Sequence, residues 1–251
     1  MPTPNTVEDP CLSPDRQPPI LITGAAQRLG LHCALALARE GFAVIATYRT
    51  LRPGVKTLME AGVTTLPADF SQPEGIEQFI ERLTETTDTL RAVVHNAALW
   101  LDDATLEADL DAFQRTMAVN VLAPYLITTR CLPLLQKSPG ALRDVVHITD
   151  ANISRGKAQK SLYLASKAAL ESLTRSLAQR LAPAIKVNAV ALGLIAVRDH
   201  IPPERRTAML NRCALGIDPG PEVLHQTLRY ILDNPFLTGA VLPLDGGRNV
   251  V

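Results

Sequence analysis

A tyrosine and a lysine stand four residues apart, at Tyr163 and Lys167, within a stretch whose periodicity predicts a helix over 160–181. Because residues four apart share one face of a helix, the phenol and the ammonium should lie side by side. A neighbouring cation favours the phenolate and is expected to lower the tyrosine pKa from about 10 towards working pH. A phenol tuned in this way can hand a proton to a substrate that receives hydride.

An aspartate, Asp150, precedes this tyrosine by thirteen residues and follows a predicted strand at 145–148. A carboxyl group in that position can pass a proton to a ring nitrogen, or pair with an amino-pyrimidine edge through two hydrogen bonds. The alternative is an acidic loop residue that takes no part in chemistry. The sequence leaves both interpretations open.

A glycine-containing turn lies where the first predicted strand, 20–23, leads into a predicted helix, 29–40. Residues 23–30 read TGAAQRLG, which differs from the dinucleotide fingerprint G-x-G-x-x-G. Glycine permits a tight turn, and the free N–H groups and positive dipole of a helix N-terminus favour a pyrophosphate. Arg28 adds a charge for phosphate, although a plain turn is the alternative. The predicted phosphate contacts are Gly24, Gln27, Arg28, Leu29 and Gly30.

The end of the second predicted strand, 43–47, indicates which nicotinamide cofactor would bind. An NAD enzyme usually carries an acid here for the ribose 2′-hydroxyl, whereas residues 47–50 read TYRT. Arg49 suits a 2′-phosphate and Thr50 adds a hydroxyl, which favours NADPH over NADH. The alternative is that Arg49 is a solvated loop residue. Asp69 and Phe70, after the third predicted strand, are placed to touch the adenine.

Short apolar segments alternate with amphipathic ones from residue 20 onwards. The predicted strands are 20–23, 43–47, 63–66, 92–95, 145–148, 185–190 and 240–242, and the predicted helices are 29–40, 54–61, 74–86, 110–136, 160–181 and 220–232. This alternation predicts one doubly wound α/β (Rossmann) domain over 20–251, with a parallel seven-stranded sheet and helices on both faces. Residues 1–19, rich in proline and charge, are expected to form a flexible arm. The irregular segment 196–219 fits either a lid over the site or a surface loop with one helix.

The composition argues against several classes of function. Lys+Arg and Asp+Glu balance at 25 each, so nothing indicates nucleic acid or an anionic membrane as a partner. No apolar run reaches the length of a membrane span, and the N-terminal residues lack the apolar segment of a signal peptide, so a cytoplasmic location is expected. The four cysteines are far apart and no Cys/His cluster has metal-ligand spacing, which predicts reduced thiols and no metal.

These residues resemble the motifs of the short-chain dehydrogenase/reductase family over most of the chain. The resemblance rests on TGAAQRLG at 23–30, His95-Asn96-Ala97-Ala98, Asn120, Tyr163-x-x-x-Lys167 and Asp245-Gly246-Gly247. It implies that Asn120 holds a water in a proton relay with Lys167, and that the lysine also holds the nicotinamide ribose. It also implies a homotetramer packed through the long helices. On the second of these helices, Leu162, Ala165, Ala169 and Leu173 would face either a partner or the sheet.

The same resemblance implies further cofactor contacts at Asn96 and Ala97 and in the loop after the sixth strand. The Pro-Gly loop of the family reads LGLI here, at 192–195, so the proline is lost. Ile195 stands where a hydroxyl residue often meets the nicotinamide amide. Backbone groups of Gly193, Leu194 and Ile195 can still serve that amide.

Two further features resemble the pteridine reductases. Asp150 takes the position of the usual catalytic serine, and Trp100 aligns with an aromatic residue that stacks on the substrate pterin. A closer likeness, to the bacterial dihydromonapterin reductases, is seen in ILITGAAQRLG, SRG, YLASKAAL and PLDGGR. It implies NADPH-dependent reduction of 7,8-dihydromonapterin to the tetrahydro form, with some dihydrofolate reductase activity. The implied substrate contacts are Arg28, Trp100, Asp150 and Tyr163, and the implied catalytic residues are Tyr163, Lys167, Asp150 and Asn120.

Two other functions stay open at this point. A carbonyl reductase of the same fold would act on a 3-oxoacyl thioester or a sugar-like ketone, although Asp150 and Trp100 argue against it. A non-catalytic NADPH-binding sensor or scaffold is the second, although such a protein would not need Asn120, Tyr163 and Lys167 together. The sequence does not decide the pterin side chain, or whether the proton reaches the ring directly or through a water.

Overall fold

The computed structural model describes residues 17–140, 142–197 and 201–251, so nearly all of the predicted arm, 1–19, lies outside the described residues. Seven parallel strands form one sheet in the order β3-β2-β1-β4-β5-β6-β7. The strands are β1 (Ile20–Ile22), β2 (Val44–Tyr48), β3 (Thr64–Pro67), β4 (Ala92–His95), β5 (Asp144–Asp150), β6 (Lys186–Leu192) and β7 (Val241–Leu244). The predicted sheet is confirmed, with every strand end within two residues of its predicted position.

Helices cover both faces of this sheet, as the alternating pattern predicts. They are α1 (Arg28–Arg39), α2 (Pro53–Glu60), α3 (Pro73–Thr86), α4 (Asp103–Ala108), α5 (Leu110–Met117), α6 (Ala123–Arg130), α7 (Leu132–Lys137), α8 (Ser161–Leu181), α9 (Pro203–Leu210) and α10 (Glu222–Asp233). Buried apolar clusters lie on the two faces, one around Phe79 and Ile127 and the other around Leu37 and Leu228. Between β1 and β4 the strand order reverses, and such a reversal opens a crevice at the carboxyl ends of the strands.

The predicted single helix over 110–136 is wrong, because the chain there is broken into α5, α6 and α7. A π-helical turn, Ala118–Leu122, separates α5 from α6, and the N–H of Ala123 bonds to the carbonyl of Ala118, five residues back. Pro124 has no N–H, so it cannot donate to the carbonyl of Asn120 as an α-helix would require. The short helix α4 was not predicted at all.

The segment 196–219 contains one helix, α9, none of whose residues is buried. The carboxylate of Asp218 pairs with Arg206 at 2.6 Å and accepts the N–H of Val197 at 3.3 Å. The N–H of Leu215 bonds to the carbonyl of Gly246 at 3.0 Å. A surface loop with one helix therefore describes the parts of this segment that the structure describes, and closure over a ligand stays a prediction.

A buried ion cluster lies at the amino ends of the strands, opposite the crevice. Asp144 is fully buried and pairs with Arg91 at 2.6 Å and Lys186 at 2.9 Å. Both cations also donate to backbone carbonyls at the C-terminus of α10, among them Leu232 at 2.8 Å from Arg91. The cluster thus ties β4, β5 and β6 to α10 at a helix end that favours cations.

Within the described ranges, no helix has both the length and the apolar character needed to cross a bilayer. The same residues contain no group of three or more His, Cys, Asp or Glu side chains that could hold a metal ion. Cys33, Cys131 and Cys213 are buried free thiols, while Cys11 lies outside the described residues.

Candidate active site

The floor of the crevice is fixed by hydrogen bonds between the ends of β1 and β4. The hydroxyl of Thr23 accepts the N–H groups of Asn96 and Ala97 at 3.1 and 3.0 Å. In return, the carboxamide of Asn96 donates to the carbonyls of Thr23 and Gly24 at 2.9 and 3.1 Å. The hydroxyl of Thr47, on β2, accepts the N–H of Gly24 at 2.9 Å. The predicted cofactor residues Gly24, Asn96 and Ala97 are thereby brought together.

Two glycines allow the backbone to approach closely at this floor. Gly24 has φ +65°, and a Cβ there would lie 2.8 Å from the Cα of Ala97. A Cβ at Gly30 would lie 2.5 Å from the carboxamide nitrogen of Asn96. Helix α1 begins at Arg28 and has no acidic residue in its first turn, so its N-terminal N–H groups and dipole are not opposed by a carboxylate there.

The residues predicted to select the cofactor lie at the ends of β2 and β3. Arg49 and Thr50 are exposed, and no acidic residue stands beside them in the chain. Asp69 is exposed and accepts the N–H of Ser71 at 2.9 Å. Phe70 is only 5% exposed and meets the ring of Phe79 edge-on, with centroids 5.3 Å apart. Its side chain belongs to the core, so Phe70 offers a ligand its backbone alone.

Tyr163 and Lys167 lie on the inner face of α8, both buried. The ammonium of Lys167 donates to the carbonyl of Ile148, on β5, at 2.8 Å. Burial lowers the pKa of Lys167 to about 8, against the opposing effect of the Asp150 charge. This lysine is still mostly protonated at neutral pH.

The expectation that Lys167 lowers the pKa of Tyr163 is wrong for this structure. Burial of the phenol, and then the negative charge of Asp150 and a hydrogen bond to its carboxylate, raise the pKa of Tyr163 well above its usual range. The sequence spacing predicted the neighbouring lysine but did not show how deeply the phenol is buried. A buried phenol beside a carboxylate keeps its proton and can serve as a proton donor.

Asn120 is fully buried in the π-helical turn, and its side chain is occupied by protein groups. Its oxygen accepts the N–H of Leu99 at 2.8 Å, and its nitrogen donates to the carbonyl of Leu99 at 3.0 Å and the hydroxyl of Ser166 at 2.9 Å. The hydroxyl of Ser166 in turn donates to the carbonyl of Tyr163 at 2.6 Å. Asn120 thus joins the loop after β4 to the tyrosine helix. Both hydrogens of its carboxamide are therefore used, while its backbone carbonyl has no α-helical donor because Pro124 lacks an N–H.

Asp150 is oriented by a residue that the sequence did not reveal. Its Oδ1 accepts both the backbone N–H and the carboxamide NH₂ of Asn152, at 2.8 and 2.7 Å. The carboxamide oxygen of Asn152 accepts Nε of Arg248 at 3.2 Å. Arg155 holds the same C-terminal segment through the carbonyls of Arg248 and Val251. Asn152 and Arg248 are 96 residues apart, and no local pattern predicts their contact.

Trp100 stands beside the tyrosine at the entrance to the crevice. It is 52% exposed, and its ring meets that of Tyr163 at 79°, with centroids 6.4 Å apart. The ammonium of Lys160 lies 3.5 Å from the indole centroid, a contact that the sequence did not indicate. The predicted substrate residues Trp100, Asp150 and Tyr163 therefore form one cluster.

The loop after β6 closes the crevice on the side of β7. The N–H of Gly193 donates to the carbonyl of Leu244 at 2.9 Å, and a Cβ at Gly193 would lie 2.6 Å from the Cα of Asp245. Leu194 is partly exposed, while Ile195 is buried. The carboxylate of Asp245 accepts the N–H groups of Gly247 and Asn249. This loop is therefore held in place without the proline of the family pattern.

Comparison with known families and sequences identifies relatives of the whole domain. Residues 24–249 match the family model described as Enoyl-(Acyl carrier protein) reductase. The chain is 38% identical over 232 residues to a dihydromonapterin reductase of Escherichia coli O6:K15:H31, covering 92% of this chain and 97% of the relative. A dihydromonapterin reductase of Shigella flexneri shows the same identity and coverage.

Solved structures with the same fold include two NADP complexes. One is the FolM alternative dihydrofolate reductase 1 from Brucella canis complexed with NADP, with a TM-score of 0.81 and 27% identity, covering 94% of this chain and 95% of the other. Another is the RhlG/NADP active-site complex from Pseudomonas aeruginosa, with a TM-score of 0.84 and 27% identity, covering 94% and 99% of the two chains.

Proposed function

The chain belongs to the short-chain dehydrogenase/reductase family, and we propose that it reduces a 7,8-dihydropterin with NADPH. The proposed reaction converts 7,8-dihydromonapterin to 5,6,7,8-tetrahydromonapterin, with weaker activity on dihydrofolate. The carrying observation is the cluster of Trp100, Tyr163 and Asp150, in which the indole meets the phenol edge-on and the Asp150 carboxylate lies near enough to raise the pKa of that phenol. The names of the relatives, dihydromonapterin reductase and alternative dihydrofolate reductase, support the same substrate class.

The charges and the helix N-terminus at the crevice support the binding of NADPH. Gly24 and Gly30 let the turn pack closely against Asn96 and Ala97, and the free N–H groups at the N-terminus of α1, where Gln27, Arg28 and Leu29 lie, suit a pyrophosphate. Exposed Arg49 and Thr50 suit the 2′-phosphate, and no acid stands beside them to repel it. Bound NADPH would supply the hydride.

The nicotinamide and its ribose are assigned to the end of the crevice where Lys167 and the loop after β6 lie. The loop backbone at Gly193, Leu194 and Ile195 offers groups for the carboxamide, and Lys167 offers its ammonium to the ribose hydroxyls. Asn96 and Ala97 form the wall between these and the pyrophosphate site. Asp69 and the backbone of Phe70 are assigned to the adenine.

The protein contributes the proton in this reaction. Hydride adds to C6 of the C6=N5 double bond, and N5 must then take a proton. Tyr163 is the proposed donor, because its raised pKa keeps the phenol protonated until a stronger base arrives. Lys167 and a water on the Asn120 carbonyl would return a proton to the tyrosine. Asp150, fixed by Asn152, can also accept hydrogen bonds from the amino-pyrimidine edge.

The test compares NADPH oxidation at 340 nm with five substrates. Dihydromonapterin, dihydrobiopterin and dihydrofolate represent the pterins, and 3-oxoacyl and enoyl thioesters represent the other reductases. Fast oxidation with the pterins and little with the thioesters is expected. The reverse order would overturn the pterin assignment while leaving the cofactor in place, and NADPH binding without any turnover would indicate a sensor or scaffold.

We also propose that the protein is a homotetramer that packs through α6 and α8. Ala165 is exposed, so it does not pack on the sheet. Leu173 and Tyr125 line an open groove of about 620 Å³ on the outer face of these helices. Light scattering coupled to size exclusion would give the mass, and a monomeric mass would overturn this proposal. The cytoplasmic location stays a prediction that cell fractionation would check.

A further inference from the structure

One face of the Trp100 indole is covered by a lysine ammonium. Nζ of Lys160 lies 3.5 Å from the ring centroid, and the residue is only 7% exposed. Lys160 is the N-cap residue of α8, three positions before Tyr163. A cation placed over an indole face within about 6 Å is attracted by the ring quadrupole. Lys160, Trp100 and Tyr163 therefore form a continuous row of contacts.

Hydrogen bonds to the residues on either side of Lys160 hold this row in place. Oδ2 of Asp103, in α4, accepts the N–H and the hydroxyl of Ser161 at 2.9 and 2.8 Å. The N–H of Asp103 donates to the carbonyl of Gln159 at 3.0 Å. The loop that carries Trp100 and the start of the tyrosine helix are thereby tied together, and Lys160 lies at that tie.

Two nearby carboxylates favour the charged form of the buried Lys160 ammonium. Burial lowers the pKa of its ammonium, the carboxylates of Asp102 and Asp103 oppose that lowering, and the neighbouring Lys157 adds to it. Lys157 is exposed, and its own ammonium lies 5.8 Å from the same indole centroid. The two lysines therefore differ in burial and distance while sharing one aromatic neighbour.

We propose that Lys160 is a positioning residue that holds the Trp100 ring edge-on to Tyr163, leaving the opposite indole face for the flat ring of the substrate. This inference rests on the proposed reduction of dihydropterins, in which Trp100 is the stacking residue. Without the ammonium, the half-exposed indole is free to rotate about its side-chain bonds, and the substrate must order it on binding.

A different role for Lys160 is conceivable and gives a different result. A cation at this wall can bind the anionic tail of a substrate, such as the glutamate carboxylates of dihydrofolate. A positioning residue affects every pterin equally, because it acts on the ring that stacks. An anion-binding residue affects only substrates with a charged tail.

The first experiment uses Trp100 fluorescence in the absence of substrate, because Trp100 is the single tryptophan of the chain. Lys160→Met is compared with Lys160→Arg and with the matched control Lys157→Met. We expect Lys160→Met to change the emission yield and to raise the acrylamide quenching constant about twofold, because the indole loses its cover. Lys160→Arg, which keeps a cation over the ring, and Lys157→Met should resemble the wild type. Unchanged quenching in a folded Lys160→Met protein would overturn the inference.

The second experiment measures KM and kcat with dihydromonapterin, whose tail is neutral, and with dihydrofolate, whose tail is anionic. Lys160→Met should raise KM about fivefold for both, which corresponds to about 1 kcal/mol. A rise with dihydrofolate alone would overturn positioning in favour of tail binding. If the wild type reduces no pterin, the proposed function fails, and the fluorescence result still decides whether Lys160 holds the indole.

Discussion

Tyr163 enters the proposed reaction as a neutral phenol because its burial and the neighbouring charge of Asp150 both favour the protonated form. Lys167, also buried, has a pKa of about 8 and so carries its proton at neutral pH. The pair is therefore set for reduction, in which the protein must give up a proton. Loss of the Lys167 proton above about pH 8 should slow proton return to the tyrosine.

Replacing Tyr163 by Phe should lower kcat for dihydropterin reduction by about 10² to 10⁴, the usual contribution of a general acid. The affinity for NADPH, measured by fluorescence titration, should change much less, because the ring itself remains. Tyr230→Phe, at an exposed position of α10, is the matched control and should leave both quantities unchanged. Equal losses of turnover and NADPH affinity would make Tyr163 a structural residue.

Replacing Arg49 by Gln should raise the Kd for NADPH by roughly tenfold or more, because a charge-assisted contact to the 2′-phosphate is lost. The Kd for NADH, which lacks that phosphate, should stay within about twofold of its wild-type value. Both values can be measured by isothermal titration. Arg52→Gln, at the exposed N-cap position of α2, controls for a general loss of positive charge. Equal weakening of both cofactors would contradict the assignment of Arg49.

Residue types and spacing singled out Tyr163, Lys167 and the glycine turn as candidates, because each lies in a short local pattern. They did not reveal Asn152, Arg248 or Lys160. The contact between Asn152 and Arg248 joins segments 96 residues apart, and the cover of Trp100 by Lys160 depends on how α4 meets α8. The ionisation of Tyr163 was also beyond the sequence, since burial determines it.

At the scale of elements, the strands were predictable because each is a run of apolar residues buried on both sides. The prediction of one helix over 110–136 passed over Pro124, which the sequence shows, whereas the contact between Asn120 and Leu99 is tertiary and leaves no local signal. The Asn120 side chain forms two hydrogen bonds with the backbone of Leu99. Pro124 has no N–H, so it cannot continue the α-helical hydrogen bonds after Asn120. The broken helix leaves the Asn120 carbonyl without an α-helical donor, at the place where a relay water is proposed.

Strands β4 and β5 also carry a buried pair of histidines whose contact the sequence did not indicate. His95 and His147 are in register, with ring centroids 5.2 Å apart. His147 bonds to the hydroxyl of Thr174 at 2.8 Å, and that hydroxyl donates to the carbonyl of Leu170. Burial, aided by the charge of Lys167, lowers the pKa of His147 to about 3. Burial, and then His147 and Lys167, also hold the pKa of His95 well below its usual value.

These histidines should make the protein less stable in acid. In the unfolded chain each titrates near pH 6.5, so below that pH the unfolded state binds more protons than the folded state. The free energy of unfolding is therefore undiminished above about pH 6.5 and falls below it, by up to about 1.4 kcal/mol per pH unit for each histidine. Urea denaturation at pH 7 and pH 5 should show the fall, and the variant His95→Asn/His147→Asn should show less of it. The same slope in both proteins would contradict this account.

At the scale of the whole molecule, the carboxyl edge of the sheet holds the candidate site, and the amino edge holds a buried ion cluster. The carboxyl edge carries the exposed cations proposed to bind the cofactor and the buried phenol of Tyr163. The amino edge carries the Asp144 cluster. Asp144 and Lys186 are in register at the starts of β5 and β6, Arg91 directly precedes β4, and the two cations reach the C-terminus of α10. Because the two edges share no side chain, stability and catalysis should be separable.

Replacing Asp144 by Ala should lower the free energy of unfolding by about 3–5 kcal/mol, because two largely buried cations lose their counter-ion. Urea denaturation at pH 7 measures the change, with Glu60→Ala as the control. Glu60 pairs with Lys56 at 3.6 Å on the exposed face of α2, and its loss should cost less than about 0.5 kcal/mol. The triple variant Arg91→Met/Asp144→Leu/Lys186→Met should recover much of the loss, since it leaves no charge unpaired. At a temperature where Asp144→Ala is folded, its KM for dihydropterin and its Kd for NADPH should equal those of the wild type. A changed Kd would show that the amino edge of the sheet supports the site after all.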